Sequence, residues 1–241
     1  MNLLILQPGE RLLVPDDPRT RHIRRVLRLG PGDRLRAGEL GGAIGVACVV
    51  SDTALGITLE FEPLAAAAPA APVELLLGHP RPIVLRRMLR DLAAIGPQRI
   101  IVTHTDLGER SYQDANLWDD TRTPMIEGAS QGGTTLLPEL IRESALETAL
   151  GRLFSSPGGR LVLHDTGEHA TPLFEALAVL SGGQAPVALA VGSERGWTER
   201  ELGVLGQAGF RPCSLGSRTL RTETAAAIAV WAAVWGVGLP S

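Results

Sequence analysis

The sequence predicts an α/β fold in which a mostly parallel sheet is preceded by a small β-rich domain. Three observations predict it. Short strand-like runs separated by turn signals occupy residues 1–64. A stretch made only of alanine and proline, Ala65–Pro72, interrupts the pattern and reads as a linker. Beyond it, short buried-type apolar runs alternate with helical periods, the signature of strands joined by helical crossovers.

In the first domain Asp16-Asp17-Pro18 is a turn signal. Arg19–Leu29 follows as a short helix, with Ile23, Val26 and Leu27 apolar and five arginines on its polar face. Gly30-Pro31-Gly32-Asp33 is a second turn, and Ile44–Val50 and Ile57–Phe61 read as strands. Small barrels are assembled from such pieces. After the linker, Val73–Leu77 reads as a strand and Ile83–Ile95 as a helix stopped by Gly96-Pro97. Ile100–Thr103, Leu161–Leu163 and Val187–Val191 are strands; Pro124–Gly132, Leu173–Leu180 and Thr222–Gly236 are helices. Thr198 and Glu201 have the spacing of a capping box at the start of a helix running to Gln207.

Composition removes several function classes. Hydrophobic residues make up 44% and charged residues 20%, so wholesale disorder is excluded. No apolar run has the length needed to cross a bilayer, and Met1–Leu6 lacks the parts of a secretory signal. Cys48 and Cys213 are too few and too far apart for a disulfide framework or a cysteine-built zinc site, which fits a cytoplasmic location. All 23 basic residues are arginine, so a Schiff-base lysine, a P-loop lysine and a catalytic amine are all excluded. The formal charge is −3, so any nucleic-acid surface must be a local patch.

Four segments carry candidate chemistry. Val187–Trp197 (VALAVGSERGW) is a buried strand entering a glycine-containing loop before a capped helix. It is either an ordinary glycine turn or a backbone cradle at the sheet's carboxyl edge, where Gly192 and Gly196 permit close approach of a nucleotide-like ligand. Leu215–Ala225 (LGSRTLRTETA) is a dense polar loop before an apolar helix. It suits a pocket; equally, Thr222 is a simple N-cap with Arg221 paired to Glu223. Arg19–Arg36 holds seven arginines against Asp33, either a solvated face or a phosphate-binding patch. His164–His169 (HDTGEH) contains metal-type ligands without zincin spacing and reads better as a polar loop at a strand end; no metal is expected. Ser130 and Ser193 lack a nucleophile elbow.

Taken together, these segments resemble the RsmE family, the 16S ribosomal RNA uridine N3-methyltransferases of the SPOUT superfamily. The likeness spans nearly the whole chain. HIRRVLRLGPGDRL (22–35) is similar to the family's H…VLR…GD signature, and Glu127, Gln131 and Pro138 have the spacing of its E-x3-Q-x6-P segment. VGSERGW (191–197) resembles its IGPEGGF loop. AGFRPCSLGSRTLRTETA (208–225) resembles its GF.P..LG.RILR.ETA segment without a gap.

The resemblance implies a PUA-like RNA-binding β-barrel over residues 1–64, a linker at 65–72, and a SPOUT methyltransferase domain with a trefoil knot over 73–241. It implies S-adenosyl-L-methionine as cofactor, 16S ribosomal RNA of the small subunit as substrate, and a cytoplasmic homodimer with neither membrane nor metal involved. By match, the cofactor-binding residues are Leu163, His164, Gly192, Ser193, Glu194, Gly196, Leu215, Gly216 and Leu220. Arg221 and Glu223 are the candidate catalytic residues, and Arg19, Arg21, Arg24, Arg25 and Arg28 the candidate RNA contacts. The chain departs from the family pattern in carrying Ser193 for proline, Arg195 for glycine and Thr134 for arginine. Its Asp91 and Ala94 stand where a lysine and a glutamate are expected. Arg195 is placed to pair with Glu194 or Glu199, or to meet RNA. Those departures motivate the competing readings: a non-catalytic RNA-binding or ribosome-assembly protein on the same fold, or a methyltransferase with another RNA target.

Overall fold

The computed structural model describes residues 2–112, 114–154, 158–164, 170–180 and 186–236. Contacts divide the chain into two units. The first comprises residues 1–69 together with 126–137, and the second comprises 70–125 with 138–241. A single cut at the Ala/Pro stretch does not describe this division, because residues 126–137 fold with the amino-terminal unit.

The first unit is built on five strands: β1 (Leu4–Leu6), β2 (Leu12–Leu13), β3 (Arg34–Glu39), β4 (Ile44–Thr53) and β5 (Gly56–Ala65). Their order is β1-β3-β4-β5-β2; β1 lies parallel to β3 and the other pairs are antiparallel. Alternate residues of β4 and β5, among them Ala47, Val49, Ile57 and Leu59, point inward onto Leu4, Leu6, Leu13 and Ile23. The helix expected over Arg19–Leu29 divides into α1 (Pro18–His22) and one π-type stretch, Ile23–Leu27. Asp17 caps α1 by accepting the Arg19 N–H at 2.7 Å. The π stretch ends on Arg28 at φ 56°, the only non-glycine residue with positive φ among the described residues. Residues 126–137 join this unit through a small core of Leu3, Ile5, Leu40 and Ala129, and the Ser130 hydroxyl donates to the Leu3 carbonyl at 2.6 Å.

The second unit is a seven-stranded sheet. Its strands are β6 (Ala71–Gly78), β7 (Pro97–Thr103), β8 (Glu139–Glu143), β9 (Gly159–Leu163), β10 (Thr171–Pro172), β11 (Val187–Val191) and β12 (Arg211–Ser214). Every pairing is parallel, in the order β10-β12-β9-β11-β6-β7-β8. β6 and β11 are apolar almost throughout because both faces are covered. Helices α2 (Pro82–Ile95), α3 (Arg122–Gly132), α4 (Leu146–Leu150), α5 (Leu173–Leu180), α6 (Glu199–Gln207) and α7 (Thr222–Gly236) complete the list. The cut between the units falls inside α3. α7 packs on β6, β11, α2 and α5. Leu76, Ile101, Ala188 and Ala190 of the sheet meet Leu146 and Leu205, which come from α4 and α6. α2 stops at Gly96, whose φ of 86° is open to glycine at little cost. Of the Ala/Pro stretch, only residues 66–70 lie outside strands, since β5 reaches Ala65 and β6 starts at Ala71.

Candidate functional site

Parallel pairing brings the strand ends level. Val191 of β11 is paired with Leu77 of β6 and with Leu163 of β9, and Leu163 is paired with Cys213 of β12. The loops that follow these four strands therefore open at one edge of the sheet. β7 and β8 lie to one side of β6, and β11, β9 and β12 to the other. Open parallel sheets bind ligands at such a carboxyl edge, where the strand order changes direction.

A cavity of about 150 Å³ opens to solvent at this edge. Leu163 and His164 supply one wall, Gly192, Ser193 and Gly196 the second, and Leu215, Gly216 and Leu220 the third. Val191, Cys213, Ser214, Arg218, Thr219, Thr222 and Ala225 complete it. Eight of the nine residues expected at a cofactor site thus meet in one place. The ninth, Glu194, does not line this cavity. It borders a second one, together with Arg81, Val84, Arg221 and Glu223; Ser193, Gly196, Thr219, Leu220 and Thr222 are common to both. Sequence reasoning missed Arg81 and Val84. The available signal was the strand–turn–helix pattern of β6, His79-Pro80 and α2, which resembles the one read at Val191.

The middle wall is held tightly. The Gly196 N–H donates to the Ser193 carbonyl at 2.9 Å and closes a turn, with Gly196 at φ 74°. A Cβ on Gly192 would stand 2.9 Å from the Gly196 carbonyl carbon, so only glycine fits there. Ser193 is buried, and its hydroxyl lies 3.4 Å from that of Thr105. Arg195 lines neither cavity and pairs with neither Glu194 nor Glu199; its guanidinium donates to the Leu107 carbonyl at 3.4 Å.

Behind the wall, the expected capping box is present. The Thr198 hydroxyl accepts the Glu201 N–H at 3.3 Å, and the Glu201 carboxylate accepts the Thr198 N–H at 2.8 Å. Glu201 is fully buried and also accepts the Asp106 N–H at 2.9 Å, which fastens the loop after β7 to α6. Arg200 and Thr198 donate to Asp106 and hold its carboxyl below the usual range. Cys213 is buried, which pushes its thiol up to about 12 and leaves it an inert wall. Arg221 and Glu223 both reach the second cavity, and neither forms an ion pair among the described residues. Thr222 opens α7 and is buried. Of the His164–His169 loop, residues 165–169 lie outside the described residues, and among the described residues no group of three metal-type ligands forms.

Residues 67–234 match the family of RNA methyltransferase domains, and residues 15–62 match the PUA domain of RNA methyltransferases. The ribosomal RNA small subunit methyltransferase E of Treponema pallidum (strain Nichols) is 40% identical over 241 residues, covering 95% of this chain and 89% of the relative. The chain belongs to this methyltransferase E family. A second relative of the same name, numbered 1, from Borreliella burgdorferi is 29% identical, covering 93% of this chain and 94% of its own. A ribosomal RNA small subunit methyltransferase E from Neisseria gonorrhoeae, bound to S-adenosyl methionine, superposes with a TM-score of 0.72 at 22% identity, covering 95% of each chain. That likeness is one of fold.

The methyltransferase's amino-terminal arginines fall into two groups. Arg19 is held by Glu10 and Asp17 at 2.7 Å each and donates to the Ile5 carbonyl, so its donors face the protein. Arg24 pairs with Asp52 and the Thr53 carbonyl. Arg21, Arg25 and Arg28 are exposed and form no ion pair among the described residues. Val26 and Leu27 are exposed on the same segment.

Proposed function

We propose that the chain transfers a methyl group from S-adenosylmethionine to N3 of a uridine in 16S ribosomal RNA of the small subunit. The observation that carries this reading is the convergence of Leu163, Gly192 and Leu220, from three separate loops, on one cavity of an RNA methyltransferase. The cofactor-bound state of the Neisseria relative supports the choice of donor.

The residues present fit that donor. Leu163, Val191, Leu215, Leu220 and Ala225 offer an apolar lining for an adenine ring, while Ser214, Thr219 and Thr222 bring hydroxyls and Gly192 and Gly216 leave backbone exposed at close range. The donor supplies an electrophilic methyl group on a sulfonium. The N3 lone pair forms the new N–C bond as the C–S bond breaks, the bonding pair stays on sulfur, and the N3 proton goes to a protein carboxylate. In this reading Glu223 takes that proton and Arg221 stabilises the charge left on the base, which their shared position on the second cavity supports.

In this reading, Leu163, His164, Gly192, Ser193, Gly196, Leu215, Gly216 and Leu220 bind the cofactor, while Glu194 faces the acceptor side. A trefoil knot is part of it, since the segments the knot would gather are those that meet at the cavity. The RNA contacts are Arg21, Arg25 and Arg28, the exposed members of the basic stretch. The chain works as a homodimer, which the exposed Trp231–Trp235 stack on α7 supports, the rings lying 6.2 Å apart at 14°. Its free cysteines suit the cytoplasm. The test is to mix the protein with labelled S-adenosylmethionine and undermethylated small subunits and map the product. A single N3-methyluridine is expected. Cofactor binding without transfer would favour the non-catalytic reading, and methylation elsewhere would favour another RNA target.

A further inference from the structure

Uracil and cytosine differ at the edge where this reaction takes place. Uracil flanks N3 with carbonyl oxygens at positions 2 and 4; cytosine carries an amino group at position 4. Arginine has only donors, so a guanidinium beside position 4 accepts uracil and rejects cytosine. When the N3 proton leaves, the charge spreads onto both oxygens, and the same guanidinium stabilises it.

Arg81 meets these requirements. It stands at the N-cap of α2, in the turn after β6, and its side chain caps nothing. Its side chain is exposed, borders the second cavity, and has no ion pair among the described residues. Pro80 and Pro82 flank it, fixing the local backbone and contributing no N–H of their own. The one N–H of that tripeptide is Arg81's, and Glu194 accepts it at 2.9 Å. Glu194 belongs to the loop whose neighbours Ser193 and Gly196 wall both cavities. Its carboxylate therefore fixes the position of Arg81 relative to the first cavity. Val84, one turn into α2 and buried, gives the second cavity an apolar surface for a base face.

We propose that Arg81 selects uracil in the second cavity and stabilises its N3-deprotonated form, with Glu194 as the positioning residue. The assignment rests on the reading of the first cavity as the methyl-donor site. It is tested in the full-length protein with Arg81→Gln, Arg81→Lys, Glu194→Ala and Glu194→Gln. Cofactor affinity is measured by calorimetry. Transfer to undermethylated small subunits is followed against pH, with uridine or cytidine at the target position. Arg81→Gln is expected to keep cofactor affinity, to lower kcat by about 100-fold, and to move the rise of kcat to higher pH. Arg81→Lys recovers part of the rate because it keeps the charge. Glu194→Ala lowers kcat, and Glu194→Gln restores it because the amide oxygen still accepts the Arg81 N–H. Wild-type transfer with Arg81→Gln equal to it in rate, pH profile and base preference overturns the assignment alone. A wild type that binds no cofactor and transfers nothing overturns the reading of the site, and the assignment with it.

Discussion

Gly78 and Ser193 meet without room for a side chain between them: a Cβ on Gly78 would lie 2.6 Å from the backbone nitrogen of Ser193. The end of β6 thereby forms the seat of the loop that walls both cavities. Thr105 closes the same spot, its methyl group 2.8 Å from that Cβ position. Gly78→Ala must push backbone aside. The expected cost is about 1–3 kcal/mol, read as a roughly 5- to 150-fold rise in cofactor Kd while the amino-terminal unit keeps its stability. Calorimetry and urea unfolding check this, and an unchanged Kd would show that the loop is not seated by β6.

Arg19 is expected to matter for stability and not for RNA. Burial pushes Glu10 and Asp17 up, but hydrogen bonds and charge from Arg19 outweigh it, and both carboxyls lie below their ordinary values. Groups lowered on folding stabilise above their unfolded values of 4.5 and 3.8, and that contribution is lost as pH falls through the folded values. Arg19→Ala should lower stability at pH 7 by about 1–3 kcal/mol and flatten the acid limb of a stability–pH curve. An acid limb identical to wild type would contradict the network's role.

Arg25 and Arg28 should behave in the opposite way. Arg25→Gln and Arg28→Gln leave the fold unchanged and weaken RNA binding. Each reduces the slope of log affinity against log salt by about 0.7–0.9 if it contacts one phosphate. Filter binding over a salt series measures this; an unaltered slope would remove these arginines from the interface.

His79 should give the second unit a pH dependence near neutrality. It is buried, and Nδ1 lies 2.7 Å from the Pro80 carbonyl, so Nδ1 carries the proton, and Nε2 has no hydrogen-bond partner among the described residues. Tyr112 and Trp118 cover the ring, and Arg142 stacks on Trp118. Burial lowers its pKa; the Pro80 bond and Glu194 oppose this, while Arg142 and His104 add to it. The unfolded chain takes up a proton near 6.5 while the folded ring stays neutral, so stability falls as pH drops below that value. His79→Gln is expected to flatten the stability curve between about pH 6.5 and 5, where the difference from wild type isolates this group from Glu74, which burial raises. A difference that does not vary with pH would place the titration elsewhere.

The sequence made some parts of this molecule legible and not others, for physical reasons. α7 and β11 are found at their expected limits because long apolar runs leave little choice. The capping box at Thr198 was readable because it is local. β10 and β12 are short and carry little periodicity of their own; they are strands because β9 pairs with β12, and β12 with β10. The π stretch after His22 gives no signal in a pattern of arginines and aliphatics. Residues 126–137 join the first unit through contacts with Leu3 and Leu40, more than 80 positions away, which no local window contains. The cavity was legible as three motifs, but its convergence depends on strand order. Arg81 went unnoticed because its importance comes from Glu194, 113 residues later.

The central claim is that the loops after β9, β11 and β12 together hold S-adenosylmethionine. Calorimetric titration of the folded chain with that compound, beside Gly192→Val, tests it most directly. One site per chain is expected for the wild type. The variant, whose side chain collides with Gly196, should keep its fold and lose the binding heat. A folded wild type that gives no heat, or a variant that binds as tightly, would contradict the account.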